Sequence, residues 1–571
     1  MVDESSRDVA ERAAGVLAPE SDLFEDLDSA GFGEALNTTL QSSLANQDNT
    51  ARATLQWATD LARIPMVAAT RWFGREIDSP VPVDPKDKRF ADPAWSTNPV
   101  FYGMRLAYLS TCRYAHDIIA AATVEEAVAR KAELALSLAL DAMAPTNFLA
   151  MNPAALKRAF DTAGASLVKG AMTFLDDLAN NKGRPRQVDA SGFEVGRNLA
   201  ATPGKVVFRN ELMELIQYAP QTEQVHARPL LFSPPWINKY YVMDLAPGRS
   251  FVEWAVQHGR TVFVISYLNP AEGMGATTMD DYLLHGPTTA LDIVCDITGA
   301  ETVDFVGLCL GGALTAITAA YLTQGGDTRI GTLTLLNTIL DYTEPGALGN
   351  FTDEKTVEKL IRKISRSGTL EGSSMAGTFD ILRANDLIFN YVVSNWLMGQ
   401  DPPAFDILAW NADSTRMPAA MHAFYLRNFY VRNRLATGTL EIAGRIIDLS
   451  AIKSPTYVVS AINDHIVLWE SAYKTTSLVS GPTRFVLSSG GHIAGIVNPP
   501  NPKAWYLTHD EETASVPPEA WRESAQRNAG SWWEDWTRWS AGTAGDMIDP
   551  PPMGNAEHPV LGDAPGLYVH S

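Results

Sequence analysis

The sequence predicts an α/β fold: a doubly wound, mostly parallel sheet with an inserted cap, preceded by a mainly helical N-terminal domain. Three observations lead there. From Gly204 onward, short β-rich runs alternate with helical stretches, the pattern of strands joined by helical crossovers. Between about 51 and 200, apolar residues instead recur at three- and four-residue spacing. One interval between strands, from near Thr334 to near Val458, is far too long for a single crossover and is rich in aromatic side chains.

Taken in order, residues 1–50 hold eleven Asp or Glu against two basic residues, which suggests an acidic arm, mobile or only loosely helical. Residues 51–200 form the helical domain, with runs from Ala53 to Ala62, Asn98 to Ala121, Val124 to Ala142 and Pro153 to Leu178. Residues 201–571 form the sheet domain. Strands are expected from Val206 to Phe208, Pro229 to Phe232, Thr261 to Ser266, Val303 to Val306, Thr332 to Leu336, Tyr457 to Ser460 and Arg484 to Leu487. The insertion, about 341–450, includes Tyr391, Trp396, Trp410, Tyr425 and Tyr430, enough aromatic surface for a water-excluding lid over the carboxyl edge of the sheet. A helical insertion simply packed on the sheet is the plainer alternative.

Composition narrows the function classes. With 571 residues, 46% of them hydrophobic and 19% charged, the chain reads as a soluble globular protein of two domains. No run of about 18 apolar residues offers a transmembrane helix. The start, Met1-Val2-Asp3-Glu4-Ser5, lacks the basic and apolar regions of a signal peptide, so a cytoplasmic location is expected. Cys112, Cys295 and Cys309 show no CxxC spacing, which argues against a disulfide framework and a zinc site. A formal net charge of -21 disfavours nucleic acid as a partner, and an anionic substrate would need a local basic pocket.

The chemistry centres on Gly307-Leu308-Cys309-Leu310-Gly311-Gly312, which follows a predicted strand and precedes a small-residue helix. This is a nucleophile elbow with cysteine in the usual serine position. Glycines at 307 and 311 let the strand fold back into the helix, and the helix amino terminus directs partial positive charge and free N–H groups at the sulfur. Leu310 N–H is offered to a developing oxyanion. A second donor is expected from the loop Ser233 to Tyr241, where two prolines stiffen the chain, from Ile237 or Trp236 N–H. Asp464 stands just past the strand from Tyr457 to Ser460, and His492 just past the strand from Arg484 to Leu487. Cys309, Asp464, His492 is the nucleophile, acid, histidine order of the α/β-hydrolase fold. His465 is a rival base. Asp464, His465 and His492 are of metal-ligand type, but no HExxH helix supports a metal. Cysteine suits exchange with a thioester, because thiolate attack there swaps one thioester for another.

The chain resembles the class I polyhydroxyalkanoate synthases over about residues 85–570. The likeness rests on Asp87 to Trp95, Pro145 to Ala150, Thr202 to Val207, Pro234 to Tyr241, the Cys309 box, Asn463 to Val467, Gly490 to Gly495 and the stretch from Gly530-Ser531-Trp532-Trp533 to Gly566. It implies an acyltransferase that polymerises (R)-3-hydroxyacyl-CoA, with short units such as 3-hydroxybutyryl-CoA favoured, and that needs no cofactor or metal. It further implies Cys309 as acyl carrier and His492 as the base for the thiol and the incoming 3-hydroxyl. Asp464 either orients His492 or helps to activate the hydroxyl. Arg383 becomes a candidate contact for CoA phosphates, and Trp396, at the cap tip, a residue that covers or opens the site. A homodimer, polyester granule surfaces and granule-associated proteins are the implied partners. Two departures, Ser266 to Pro270 without the usual Trp-Arg and Leu468 where proline is common, bear on substrate chain length rather than on the triad. Other readings are a cysteine-dependent thioesterase or lactone hydrolase of the same fold, and a non-catalytic granule-binding relative.

Overall fold

The computed structural model describes residues 31–75, 77–509 and 516–571. The chain divides into two compact units, Met1–Asp189 with Ala376–Ala404, and Ala190–Met375 with Phe405–Ser571. The insertion expected as one cap over about 341–450 is therefore divided. Its middle belongs to the helical unit and its flanks to the sheet unit.

In the first unit, residues expected as part of an acidic arm are helical: α1 spans Phe32–Ala45, and α2, Gln47–Ala69, begins before residue 50. Phe32, Ala35, Thr39 and Ser43 are buried at helical spacing, and that stripe outweighs the acidic residues around it. Residues 1–30 of the expected arm lie outside the described residues. Helix α3, Pro99–Ala120, starts on Asn98, whose side chain accepts from Val100 N at 2.9 Å, with Pro99 at the first helical position. Helix α4 spans Glu126–Ala142. The run expected from Pro153 to Leu178 is two helices, α5 (Pro153–Asp161) and α6 (Ala165–Asn180), broken where Ala163 and Gly164 turn left-handed at φ 49° and 85°. Ile64, Val67, Tyr102 and Leu106 form a small core between α2 and α3.

The second unit is built on an eleven-stranded sheet. Its strands are β1 (Gly204–Arg209), β2 (Met213–Tyr218), β3 (Leu230–Ser233), β4 (Val262–Tyr267), β5 (Val303–Leu308), β6 (Ile330–Leu336), β7 (Thr456–Ala461), β8 (Thr483–Ser488), β9 (Trp505–Thr508), β10 (Gln526–Ala529) and β11 (Gly562–Asp563). They lie in the order β10-β9-β8-β7-β6-β5-β3-β4-β2-β1-β11. The six strands from β8 to β4 pair in parallel, and the flanking pairs are antiparallel. Every residue of β3 and β5 is buried, as expected of strands covered on both faces. Helix α7, Leu310–Gln324, packs on β5 and β6, and helix α8, Glu354–Ser367, opens the insertion. Helix α9, Trp532–Ala541, is held by a capping box between Ser531 and Glu534 and brings Trp532, Trp533 and Trp536 onto Phe251, with ring centroids 4.9, 5.2 and 4.8 Å away. No described helix is long and apolar enough to cross a membrane.

Candidate active site

Strand β5 runs directly into Cys309, which caps α7 with φ 51° and ψ -116°. A non-glycine residue in this region stores roughly 1–3 kcal/mol of strain and persists only where its surroundings enforce it. Here they do. Cys309 N donates to Leu336 O at 2.8 Å, and Cys309 O accepts from Ala313 N at 3.1 Å. Two glycines make the turn possible through close approach. A Cβ on Gly307 would lie 2.5 Å from Gly312 Cα, and one on Gly311 would lie 2.2 Å from Ser233 O and 2.4 Å from Pro234 O. The second contact presses the loop after β3 onto the start of α7.

The acid and the histidine meet because their strands share a register. Strands β7 and β8 pair in parallel from Thr456↔Thr483 to Ala461↔Ser488, so both end at one level. The loops beyond stay joined, with Ile462 N to Ser488 O and Asn463 N to Gly490 O both at 2.9 Å. Asp464 Oδ2 then lies 2.6 Å from His492 Nδ1, while its Oδ1 accepts from Ile466 N and Val467 N at 2.8 and 2.9 Å. The Cys309 sulfur lies close enough to His492 to act on its charge. Burial works against a charged imidazole, but the Asp464 carboxylate and the Cys309 sulfur together outweigh it, holding His492 well above the ordinary value of 6.5. Asp464 is thus hydrogen-bonded to His492, and that imidazole lies beside Cys309.

Leu310 N and Ile237 N make no hydrogen bond among the described residues, which leaves both N–H groups available. Ile237 is half-buried and Trp236 buried, the latter with its indole Nε1 unpartnered. Three tyrosines close one side of the site. Tyr342, Tyr425 and Tyr430 pack together at centroid distances of 4.9 to 6.2 Å, and Trp236 meets Tyr425 edge-on at 5.9 Å. Burial first, with the Cys309 sulfur among the lesser causes, raises all three phenols above their ordinary range, so they remain neutral hydrogen-bonding groups.

Sequence reasoning missed Asn337 and Tyr342. Asn337 directly follows β6 at φ 41°, donates its N–H to Val459 O at 2.8 Å, and donates its side-chain amide to His492 O. An asparagine directly after a buried strand was the available signal, since Asn is enriched in left-handed positions. Arg383 and Trp396 lie in the first unit. The half-exposed Arg383 is ion-paired with Asp386, and Trp396 Nε1 donates to the buried Asp177 Oδ2 at 2.8 Å while its ring packs edge-on against Phe174. Among the described residues, the group of metal-ligand type close enough to share an ion is Asp296, Glu557 and His558, not the Asp464 cluster.

Residues 86–255 match the family described as "Poly-beta-hydroxybutyrate polymerase (PhaC) N-terminus", and residues 230–499 match "alpha/beta hydrolase fold". The chain is 39% identical over 558 residues to a poly(3-hydroxyalkanoate) polymerase of Methylorubrum extorquens, covering 97% of this chain and 92% of that one. It is 42% identical over 505 residues to a poly(3-hydroxyalkanoate) polymerase subunit of Rhizobium meliloti, covering 87% and 82%. With the corresponding subunit of Cupriavidus necator it shares 41% identity over 493 residues, covering 85% and 83%.

Proposed function

The chain belongs to the poly(3-hydroxyalkanoate) polymerase family, and on that footing we propose that its acyl chemistry runs through Cys309 as carrier of the growing chain. The enzyme is an acyltransferase that makes polyester from 3-hydroxyalkanoate units. In our reading the donor is an (R)-3-hydroxyacyl-CoA, with 3-hydroxybutyryl-CoA the preferred unit. His492 takes the Sγ proton through Nε2, because Nδ1 is committed to Asp464. The sulfur attacks the thioester carbonyl, and Leu310 N–H and Ile237 N–H hold the oxyanion. CoA leaves as a thiolate and takes the proton from the imidazolium. In the second half, His492 accepts the proton of a 3-hydroxyl as that oxygen attacks the Cys309 thioester, and the sulfur leaves. An ester bond replaces the thioester, the sulfur regains the proton from the imidazolium, and the chain, longer by one unit, now ends in that unit's CoA thioester, which reloads Cys309 in the next cycle.

The observation that carries this reading is the 2.6 Å pairing of Asp464 Oδ2 with His492 Nδ1, on an imidazole that lies beside Cys309 at the elbow. The neutral tyrosines support it by offering a buried, hydroxyl-lined wall in place of bulk water. No metal or prosthetic group enters the proposal. For the CoA phosphates we propose Arg383, which would exchange its Asp386 partner for phosphate. Trp396 would belong to the segment that covers or opens the site. The active form is read as a homodimer in the cytoplasm, on granule surfaces and in company with granule-associated proteins.

One assay tests the core of this. Wild type and Cys309→Ala are given 3-hydroxybutyryl-CoA while CoA thiol and insoluble polyester are followed together. Wild type should release CoA in step with polymer, and the variant should do neither. Free hydroxy acid as the main product would instead indicate a thioesterase.

A further inference from the structure

The loop that carries Ile237 also carries a buried cation. Lys239 has a side chain only 4% exposed, and its Nζ donates to Val569 O at 2.7 Å and Ser571 O at 2.6 Å. The nearest side-chain carboxylate among the described residues, Asp413 Oδ1, is 3.8 Å away. A buried ammonium is costly unless its protons are taken up, so these two main-chain oxygens are what keep Lys239 inside. Burial accordingly lowers its pKa, opposed by Asp413.

The segment that supplies those oxygens is itself held. Glu214 Oε2 accepts from Leu567 N and Tyr568 N, both at 2.9 Å, and Tyr568 OH donates to Asn210 O at 2.5 Å. On its other side the loop leans on the insertion. Trp410 Nε1 donates to Lys239 O at 2.8 Å, Tyr241 OH donates to Asp413 Oδ2 at 2.9 Å, and Asn238 bridges Ser414. Lys239 is thus where residues 567–571, more than 300 positions away in the chain, grip the loop two residues beyond Ile237.

We propose that Lys239 is a positioning residue: it locks the segment 567–571 onto the loop after β3 and thereby sets where Ile237 N–H points at the acyl carbonyl. This rests on the reading that the loop supplies an oxyanion donor. If the lock is lost, the loop keeps its insertion contacts but loses its fixed distance to α7. The transition state then loses a hydrogen bond that the ground state uses little.

The test uses full-length protein and single-turnover release of CoA thiol from 3-hydroxybutyryl-CoA. Lys239→Met, which fills the space without the charge, should slow acylation ~10–100-fold with KM within about threefold, as expected for a loosened oxyanion donor. Lys239→Arg should recover most of the loss. Tyr568→Ala loosens the segment from its far side and should slow acylation less. The double variant Lys239→Met/Tyr568→Ala should be no slower than Lys239→Met alone, because both act through one contact. Wild-type acylation in Lys239→Met, or multiplying effects in the double variant, overturns the proposal. Ile237→Pro, which deletes the N–H, separates it from the underlying reading. Full activity there refutes the oxyanion role itself, whereas a slow Ile237→Pro beside an unimpaired Lys239→Met refutes the lock alone.

Discussion

Gly311→Ala is a small change with a large expected effect. The added Cβ would lie 2.2 Å from Ser233 O, 2.4 Å from Pro234 O and 2.5 Å from Pro234 C. All three atoms are backbone, so no side chain can swing aside. Helix α7 cannot retreat either, because Leu310 through Ala320 are buried without a break. Relief must come from the loop after β3, which has to move by roughly 1 Å to restore ordinary contact. A misplacement of about 1 Å at a reacting centre costs about 100-fold in rate, or about 2.7 kcal/mol of barrier. Overpacking of a tight core also costs about 1–3 kcal/mol of stability. Single-turnover release of CoA thiol reads the first and urea unfolding the second. Gly312→Ala is the control: its Cβ would strike the Thr338 side chain, so adding Thr338→Ala should restore part of the loss, and no such remedy exists for Gly311. A Gly311→Ala enzyme within threefold of wild type and equally stable would refute the argument that the loop is pressed against the elbow to position a donor.

Other perturbations probe separate links. Because the folded pKa of His492 is raised above 6.5, its contribution to stability is complete below about 6.5 and is lost as pH rises through the folded value. Cys309→Ala removes one of the groups that raise it, so His492 should titrate lower by NMR and the alkaline loss of stability should begin at lower pH; an unchanged titration contradicts the coupling. Phe251→Ala empties the space among Trp532, Trp533 and Trp536 and should cost about 3–5 kcal/mol in urea unfolding, with a loss under about 1 kcal/mol refuting a shared core. In the first unit, Trp396→Phe deprives the buried Asp177 of a donor, at about 1–3 kcal/mol, and should speed hydrogen exchange across residues 376–404. Unchanged exchange would mean that the indole N–H does not anchor that segment.

What could be read from the chain was whatever local chemistry dictates. The elbow is legible because only glycines tolerate the backbone contacts at 307 and 311, and because a buried parallel strand is a short apolar run. Asp464 and His492 are legible because they sit three and four residues past the ends of such runs, at the same edge of the sheet. These signals depend on neighbours in sequence, and they were enough for the fold class and the family.

Folding decided the rest, by bringing in partners from far along the chain. Strand β2 escaped notice because Glu214 and Gln217 look like surface residues, yet both are buried. Glu214 is satisfied by Arg209 and by Leu567 and Tyr568 N–H, and Gln217 by Pro552 and Gly554. Helix α1 was hidden by its acidic setting, and the insertion read as a single cap because hydrophobic content does not tell which core it joins. Lys239 stands in the loop from Ser233 to Tyr241, and only folding brings Val569 O and Ser571 O to accept its hydrogen bonds. Turn geometry and strand burial are written in consecutive residues, whereas the neutralisation of a buried polar group depends on whichever distant segment the tertiary fold sets beside it.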